Sequence, residues 1–219
     1  DTTSTDDNWS ACRYKPADAD AYEWNKDDPG KFATPWYYGH GVYGCRDSIG
    51  LLENIQGARL VYKPKAKSYG DMDIVLDVTP AKTAGQGFSS NRMQYMDVYI
   101  KYDNRTMTGY GLRILRTLKH GNAVDFQLMS FSRGSATPVS AAVASTCYRR
   151  NCRSRLTYHA GLLSASATTD ARPSDPSLPN SVSLSANVVP NSFGDFAIQH
   201  TGTTGEGQTM LRHLSVKWQ

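Results

Sequence analysis

Asp71 and Asp73, two carboxylates at positions i and i+2, are the clearest pair in this sequence that could carry out chemistry. Residues two apart on a strand project to the same face. Two carboxyl groups held about 5–5.5 Å apart are what a retaining glycosidase uses, one as nucleophile and one as general acid. Asp77 or Asp97 as a third acid would raise the pKa of one member by like-charge repulsion. Asp97, Tyr99 and Lys101 lie on a second alternating segment, Arg113 on a third, and Asp125 and Gln127 on a fourth. Consecutive strands often neighbour each other, so these side chains are expected on one wet face together with Asp71 and Asp73. Carboxylates accept hydrogen bonds, arginine donates as a fork, and an aromatic face stacks on C–H surface, so the set suits a ligand rich in hydroxyl groups. The competing reading is a solvated face laced with ion pairs worth about 0–1 kcal/mol each.

A second group comes from the stretch Tyr22 to Cys45, which contains Trp24, Trp36, Tyr37, Tyr38, His40 and Tyr43 among Gly39, Gly41 and Gly44. Tryptophan and tyrosine supply large amphipathic area at little entropy cost. Trp36, Tyr37, Tyr38 and His40 are therefore expected either to rim a binding surface or to pack over the open end of a core. His40 beside a tyrosine is also a general-base arrangement that a polysaccharide lyase would need. The remaining histidines, His120, His159, His200 and His213, are scattered, with no metal-ligand spacing among them. The sequence has no Gly-x-Ser-x-Gly elbow, phosphate-binding glycine loop or His-Glu-x-x-His. No metal or cofactor is called for; a structural calcium ion is compatible with such a chain, but no loop has a dedicated spacing. Asn8 and Asn104 begin formal glycosylation sequons.

Four cysteines, Cys12, Cys45, Cys147 and Cys152, admit three pairings. Cys147 and Cys152 flank a four-residue turn, and a bridge there would staple a hairpin for roughly 2 kcal/mol. Cys12 would then pair with Cys45 and tie down the N-terminal stretch. Such bridges point to a secreted, periplasmic or cell-surface protein; four buried thiols are the alternative.

These residues sit on short runs of period-two alternation closed by turn residues. Met72, Ile74, Leu76 and Val78 alternate with Asp71, Asp73 and Asp77. Met96, Val98, Ile100 and Tyr102 are expected inside, with Asp97, Tyr99, Lys101 and Asp103 outside. From Arg59 to Trp218 about eleven strands follow, with no convincing amphipathic helix. The fold class this predicts is all-β, a two-sheet antiparallel sandwich in one domain over 1–219. In that reading 58–219 forms the strands and 1–57 is an irregular, aromatic-rich arm packed on them. The segment from Thr169 to Asn180, with Pro173, Pro176 and Pro179, is expected to be a surface loop. With 219 residues, a net charge of +4, 20% charged and 11% aromatic side chains, the chain is neither disordered nor basic enough to argue for nucleic acid. No run approaches the roughly 18 apolar residues of a membrane span.

From about Ala58 to Trp218 the chain resembles the concanavalin A-like jelly rolls, the fold of laminarinase-type glucanases, laminin-G-like domains and many carbohydrate-binding modules. The carriers are the segment from Gly57 to Tyr62, the Asp71–Val78 strand, the segment from Gly109 to Ile114, and the closing segment from Leu211 to Val216. The run from Thr83 to Phe88, continued through Tyr95 to Tyr99, is similar to modules of secreted polysaccharide-degrading proteins of gut bacteria. The resemblance implies a concave sheet that grips a polysaccharide or oligosaccharide. The ligand-binding candidates are Asp71, Asp73, Asp97, Tyr99, Arg113, Gln127, Trp36, Tyr37, Tyr38 and His40, in a monomer or one module of a larger protein. The alternatives on this scaffold are an endo-acting glycosidase using Asp71 and Asp73, a lyase using His40, and a laminin-G-like adhesion module. The glucanase strand carries Glu-x-Asp-x-x-Glu, whereas Asp71-Met72-Asp73 is followed by Val75 and Leu76. The glucanase catalytic roles are therefore not carried over.

Overall fold

The structure is a computed structural model that describes side chains for residues 70–80, 95–115, 124–147, 150–169, 178–199 and 213–219, and only the backbone of further strands within 2–62, 200–201 and 209–212. The described residues form eighteen strands and no helix. The first seven are β1 (Thr2–Thr3), β2 (Lys15–Asp18), β3 (Ala21–Asn25), β4 (Tyr37–Tyr38), β5 (Tyr43–Arg46), β6 (Gly50–Glu53) and β7 (Arg59–Tyr62). They are followed by β8 (Met72–Pro80), β9 (Tyr95–Asp103), β10 (Thr108–Leu115), β11 (Val124–Ser132), β12 (Ser135–Pro138) and β13 (Val143–Ser145). The last five are β14 (Cys152–His159), β15 (Leu162–Thr168), β16 (Ser181–Asn187), β17 (Asp195–Thr201) and β18 (Thr209–Trp218).

They form two antiparallel sheets. The first runs β1-β4-β7-β17-β9-β10-β11-β12, with β13 also on β11; the second runs β16-β15-β14-β8-β18-β3-β2, with β6 on β18 and β5 on β6. Two expectations change here. Within 1–57, expected as an irregular arm, the described residues form short strands: β1 and β4 extend the first sheet while β2, β3, β5 and β6 extend the second. The alternating run from Val139 to Cys147, which predicts one strand, forms a strand only at β13; β12 lies just before it, and both pair with β11.

The sheets share one apolar layer. Ile74, Leu76, Val78, Leu156, Leu163, Leu214 and Val216 of the second sheet meet Met96, Val98, Ile100, Leu112, Ile114, Phe126 and Leu128 of the first. Burial of such side chains is worth about 1.5–3 kcal/mol each. Because pleated side chains alternate, filling this layer from β8 sends Asp71, Asp73 and Asp77 to the outer face of the second sheet. Filling it from β9 sends Asp97 and Tyr99 to the outer face of the first.

The alternation on β9 breaks at Lys101, which occupies the left-handed region at φ 49°. The register to β17 and β10 slips at this point, making a β-bulge. Lys101, expected outside, is buried, with its ammonium 5.1 Å from the centroid of the Tyr158 ring. Tyr102, expected inside, joins Tyr99 on the outer face and stacks on it, the ring centroids 4.3 Å apart. The bulge has room only because Gly109 lies across from it: at φ 146°, a Cβ there would fall on the Lys101 carbonyl oxygen and within 2.7 Å of Tyr102 Cα. Elsewhere the turns are conventional. Ala160-Gly161 and Arg133-Gly134, all at positive φ, close the β14–β15 and β11–β12 hairpins, as two-residue I′ turns require.

Gly109→Ala should therefore destabilise the fold by about 1–3 kcal/mol or more, read as a lower urea midpoint. An unchanged midpoint would show that the bulge is not built around Gly109.

Candidate functional site

Register across the first sheet assembles the outer face row by row. One row reads Arg59, Gln199, Asp97, Arg113 and Gln127; the adjacent row on the same face reads Tyr37, Val61, Ala197, Tyr99, Gly111 and Met129. Asp97, Tyr99, Arg113 and Gln127 are thus brought together as expected, and Tyr37 occupies a register position on their face. Tyr38 falls in the neighbouring register with Leu60. Trp36 and His40 lie outside the described residues, as does Cys12.

This face has a floor and a rim. The floor is a second buried cluster of Tyr99, Tyr102, Met129, Phe131 and Ala197. Phe131 stands edge-on to Tyr99 at 4.9 Å, and Gly111 makes the space: a Cβ there would come within 3.0 Å of the Phe131 ring and 2.8 Å of the Val98 carbonyl oxygen. Asp97 belongs to the floor, at 2% exposure. The rim is half-buried: Tyr95, Arg113, Asp125, Gln127 and Gln199.

Arg113 grips Asp97 through Nε–Oδ1 at 2.8 Å and Nη2–Oδ2 at 3.0 Å, the geometry of an ionised fork-to-carboxylate pair. The guanidinium lies 3.8 Å from the centroid of the Tyr95 ring, a cation–π contact. Tyr99 Oη is 2.9 Å from Gln199 Oε1 and 3.3 Å from Asp97 Oδ2, and Gln127 Nε2 donates to the Ser140 carbonyl at 3.0 Å. Burial is the largest influence on Asp97 and pushes its carboxyl up, opposed by the hydrogen bonds from Arg113 and Tyr99. On Arg113 the same desolvation is outweighed by Asp97, which lifts the guanidinium pKa and keeps it charged.

The single expected patch divides here. Asp71 and Asp73 stand on the outer face of the second sheet, with the apolar layer between them and Asp97. Asp71, just before β8, and Asp73 and Asp77 on it each face a basic side chain of β14. Asp73 receives both Nε and Nη2 of Arg155, at 3.0 and 2.7 Å; Arg153 lies 3.7 Å from Asp77; and His159 Nδ1 lies 2.5 Å from Asp71 Oδ2. Asp71 also accepts the Ala160 N–H at 3.2 Å. Desolvation pushes the Asp71 carboxyl up, but the His159 and Ala160 hydrogen bonds and the nearby charges of His159 and Lys101 outweigh it and hold it below its ordinary value. A general acid needs the opposite shift from the one Asp71 shows.

The Cys147–Cys152 turn also differs from expectation: it does not join a hairpin but carries the chain from β13 in the first sheet to β14 in the second. Both cysteines are buried thiols with Sγ atoms 2.7 Å apart. Cys45 lies on β5. At the Asn104 sequon, Nδ2 is out of contact with solvent and Thr106 Oγ1 donates to Asp103 at 2.6 Å. Among the described residues there is no cluster of three or more metal-ligating side chains, and no helix long and apolar enough to cross a membrane.

Gln199 and Tyr95 are site residues that the sequence reading passed over. Gln199 alternates with the inward Phe196 and Ile198 in a run of only a few residues, and Tyr95 sits one position before the strand start inferred at Met96.

No family model and no curated protein matches the chain. Among solved structures it is similar to the carbohydrate-binding module CBM66 from Bacillus subtilis, with TM-score 0.56 and 14% identity over 84% of this chain and 96% of that one. It is also similar to the exoplasmic/lumenal domain of VIP36 in its metal-free form, with TM-score 0.59 and 10% identity over 84% and 85% of the two chains. A third neighbour is the CBM2 module of the evolved Dit protein of Lactobacillus casei BL23 phage J-1, with TM-score 0.52 and 10% identity over 85% and 77%. The fold is thus the two-sheet antiparallel jelly roll of the concanavalin A-like class.

Replacing Arg113 by Met should leave Asp97 buried without its partner and cost about 3–5 kcal/mol in urea unfolding. The double variant Asp97→Asn, Arg113→Met should be less destabilised than Arg113→Met alone; equal or greater loss would show that the pair is not what holds this face.

Acid stability follows from Asp71 and from Asp103, whose carboxyl is pushed up by burial but held below its ordinary value by the Thr106 hydroxyl and the Arg105 N–H. A depressed folded pKa contributes stability that is present above the unfolded carboxylate value of about 3.9 and lost as pH falls through the folded one. Urea midpoints should therefore drop below about pH 4, and the drop should be shallower in Asp71→Asn and Asp103→Asn.

Proposed function

We propose that the chain is a secreted or cell-surface carbohydrate-binding domain that holds a polysaccharide on the outer face of the first sheet. The observation that carries this reading is the row of half-buried polar side chains: Arg113, Gln127, Gln199 and Asp125 stand in adjacent register rows beside a buried aromatic cluster of Tyr99, Tyr102 and Phe131 that fixes the face they stand on. Hydroxyl-bearing ligands need donors and acceptors held in place, and Asp97 holds the Arg113 fork from beneath as a positioning residue. Arg113 stays charged, with two of its nitrogens bonded to Asp97, Gln127 and Gln199 carry amides, and the Tyr95 ring lies beside them. The fold neighbours support the reading by analogy alone: one is a carbohydrate-binding module, and the VIP36 domain has been solved with Ca2+ and Man3GlcNAc bound.

The test is affinity electrophoresis against a polysaccharide panel, followed by calorimetry on the retarding glycan. Gln127→Ala and Gln199→Ala should each weaken binding about three- to tenfold, while Asp73→Asn, on the opposite face, should leave it unchanged and no reducing ends should appear. Failure of every glycan to retard the chain rejects the saccharide reading. Loss of binding in Asp73→Asn with Gln127→Ala unaffected moves the site to the other sheet.

The secreted reading is tested at the cysteine pair. The Sγ atoms lie 2.7 Å apart, close enough for the two thiols to be oxidised to a bridge while the chain folds, with an oxidised thiol donor such as glutathione disulfide taking up the two electrons and both protons as it is reduced to two thiols. Protein from an oxidising compartment should have an intact mass about 2 Da lower for this bridge, and resist thiol alkylation at Cys147 and Cys152 until reduced. Ready alkylation in the unfolded, unreduced chain would count against it.

A further inference from the structure

Three large apolar side chains stand exposed among the described residues: Met107 at 36%, Leu162 at 41% and Val189 at 77%. Scattered singly they would need no explanation, but all three are collected at one end of the sandwich. Met107 lies in the β9–β10 turn, and its carbonyl accepts the Gly134 N–H of the β11–β12 hairpin at 2.9 Å. Leu162 opens β15 directly after the Ala160-Gly161 turn, where the Gly161 carbonyl accepts the Val188 N–H at 2.8 Å. The Val189 carbonyl accepts the Tyr110 hydroxyl at 2.5 Å, and Asn191 Nδ2 donates to the Lys101 carbonyl at 3.1 Å. These bonds tie the tips of both sheets together, so the apolar groups are held in water by ordered backbone.

Unpaired positive charge stands at the same end. Arg105 lies two residues before Met107, Arg133 at the tip of the β11–β12 hairpin, and Lys217 one residue from the end of β18. All three are exposed and form no ion pair among the described residues. The acids around them are occupied. Asp103 accepts the Arg105 N–H and the Thr106 hydroxyl, Asp195 accepts the Asn104 N–H, and Asp71 is held by His159 and Ala160. Elsewhere Arg113, Arg153 and Arg155 are each paired with an aspartate, and Arg150 at the crossover is the exception.

We propose that this end of the sandwich docks on a lipid bilayer with anionic headgroups, Val189, Leu162 and Met107 entering the interface while Arg105, Arg133 and Lys217 meet the phosphates. Interfacial binding draws on buried apolar area and on attraction to anionic lipid together, and both are supplied here on one end. Each basic group near such a surface strengthens binding about fivefold. A protein partner fits less well, because the apolar groups stand on separate turns rather than in one patch of the size a stable interface needs. With three side chains entering, the attachment is reversible and weakens with salt. It does not rest on the saccharide reading, whose residues lie on the outer face of the first sheet.

Co-sedimentation of the full chain with vesicles tests this, using equal parts phosphatidylglycerol and phosphatidylcholine against phosphatidylcholine alone, with circular dichroism to check that each variant is folded. The mixed vesicles should bind at least about tenfold more tightly than the neutral ones and release the chain as salt rises. Arg105→Glu with Arg133→Glu should weaken that binding at least about tenfold, and Leu162→Ser with Val189→Ser about three- to tenfold. Val189→Trp should give a blue-shifted fluorescence component on the mixed vesicles that the parent chain lacks. A chain that ignores the mixed vesicles at low salt overturns the proposal. So does binding that either double variant leaves unchanged; if the arginine pair alone matters, the end is a general polyanion surface such as an acidic protein would use.

Discussion

Each strand of a two-layer sandwich commits one face to the shared apolar layer, and that commitment decides where polar chemistry can stand. With Ile74, Leu76, Val78, Val98, Leu112 and Phe126 fully withdrawn from water, the acids that alternate with them have two destinations on opposite sides of the molecule. No loop movement can bring Asp73 to Asp97 without turning a strand inside out. A slip of one residue on β8 would bury Asp73 and Asp77 and expose Ile74 and Leu76, at a cost far beyond the total stability of an ordinary domain.

The two outer faces handle charge by different means. On β8 and β14 the acids and cations form a ladder leaning across the strands, with Arg155 59% exposed and water screening every pair. Such pairs contribute little and suit a surface that only has to stay soluble. On the first sheet the Asp97–Arg113 pair lies at the margin of a buried aromatic cluster. There, desolvation is costly and is offset by bidentate geometry, a tyrosine hydroxyl and a stacked ring. A carboxylate placed where its charge costs most, gripped by an arginine that keeps 16% of its side chain exposed, is poorly explained by folding alone. That asymmetry is why the binding assignment favours this face.

Much of the fold was legible in the sequence because alternation is local. The alternating runs Asp71–Val78, Tyr110–Thr117, Val124–Phe131 and Leu162–Thr168 coincide with β8, β10, β11 and β15 to within two residues at each end. The chemistry within each strand was legible too; Arg113, Asp97, Tyr99 and Gln127 do share a face. What alternation cannot convey is partnership. The chain runs from β8 in one sheet to β9 in the other, and nothing in the character of Asp73 or Asp97 reports that crossing. The bulge was hidden for a related reason. Lys101 is a polar residue in a polar position of the pattern, and only its left-handed backbone and the absent side chain at Gly109 exchange it with Tyr102.

The bulge links the fold to the candidate site. With regular alternation, Tyr102 would point into the sandwich and Tyr99 would stand alone on the floor, beside the gap left by Gly111. The extra residue turns Tyr102 outward onto Tyr99, at an interplanar angle of 18°, and lets Phe131 close against both rings. It also places the Lys101 ammonium at the Tyr158 ring, where burial pushes its pKa down and Asp71 pulls it back. One backbone irregularity therefore supplies the aromatic floor of one face and, through Lys101, part of the field that acts on Asp71 at the other. Bulges re-aim side chains where a sheet must do more than pack, and this one re-aims the ring that completes the buried aromatic cluster beside the proposed binding row.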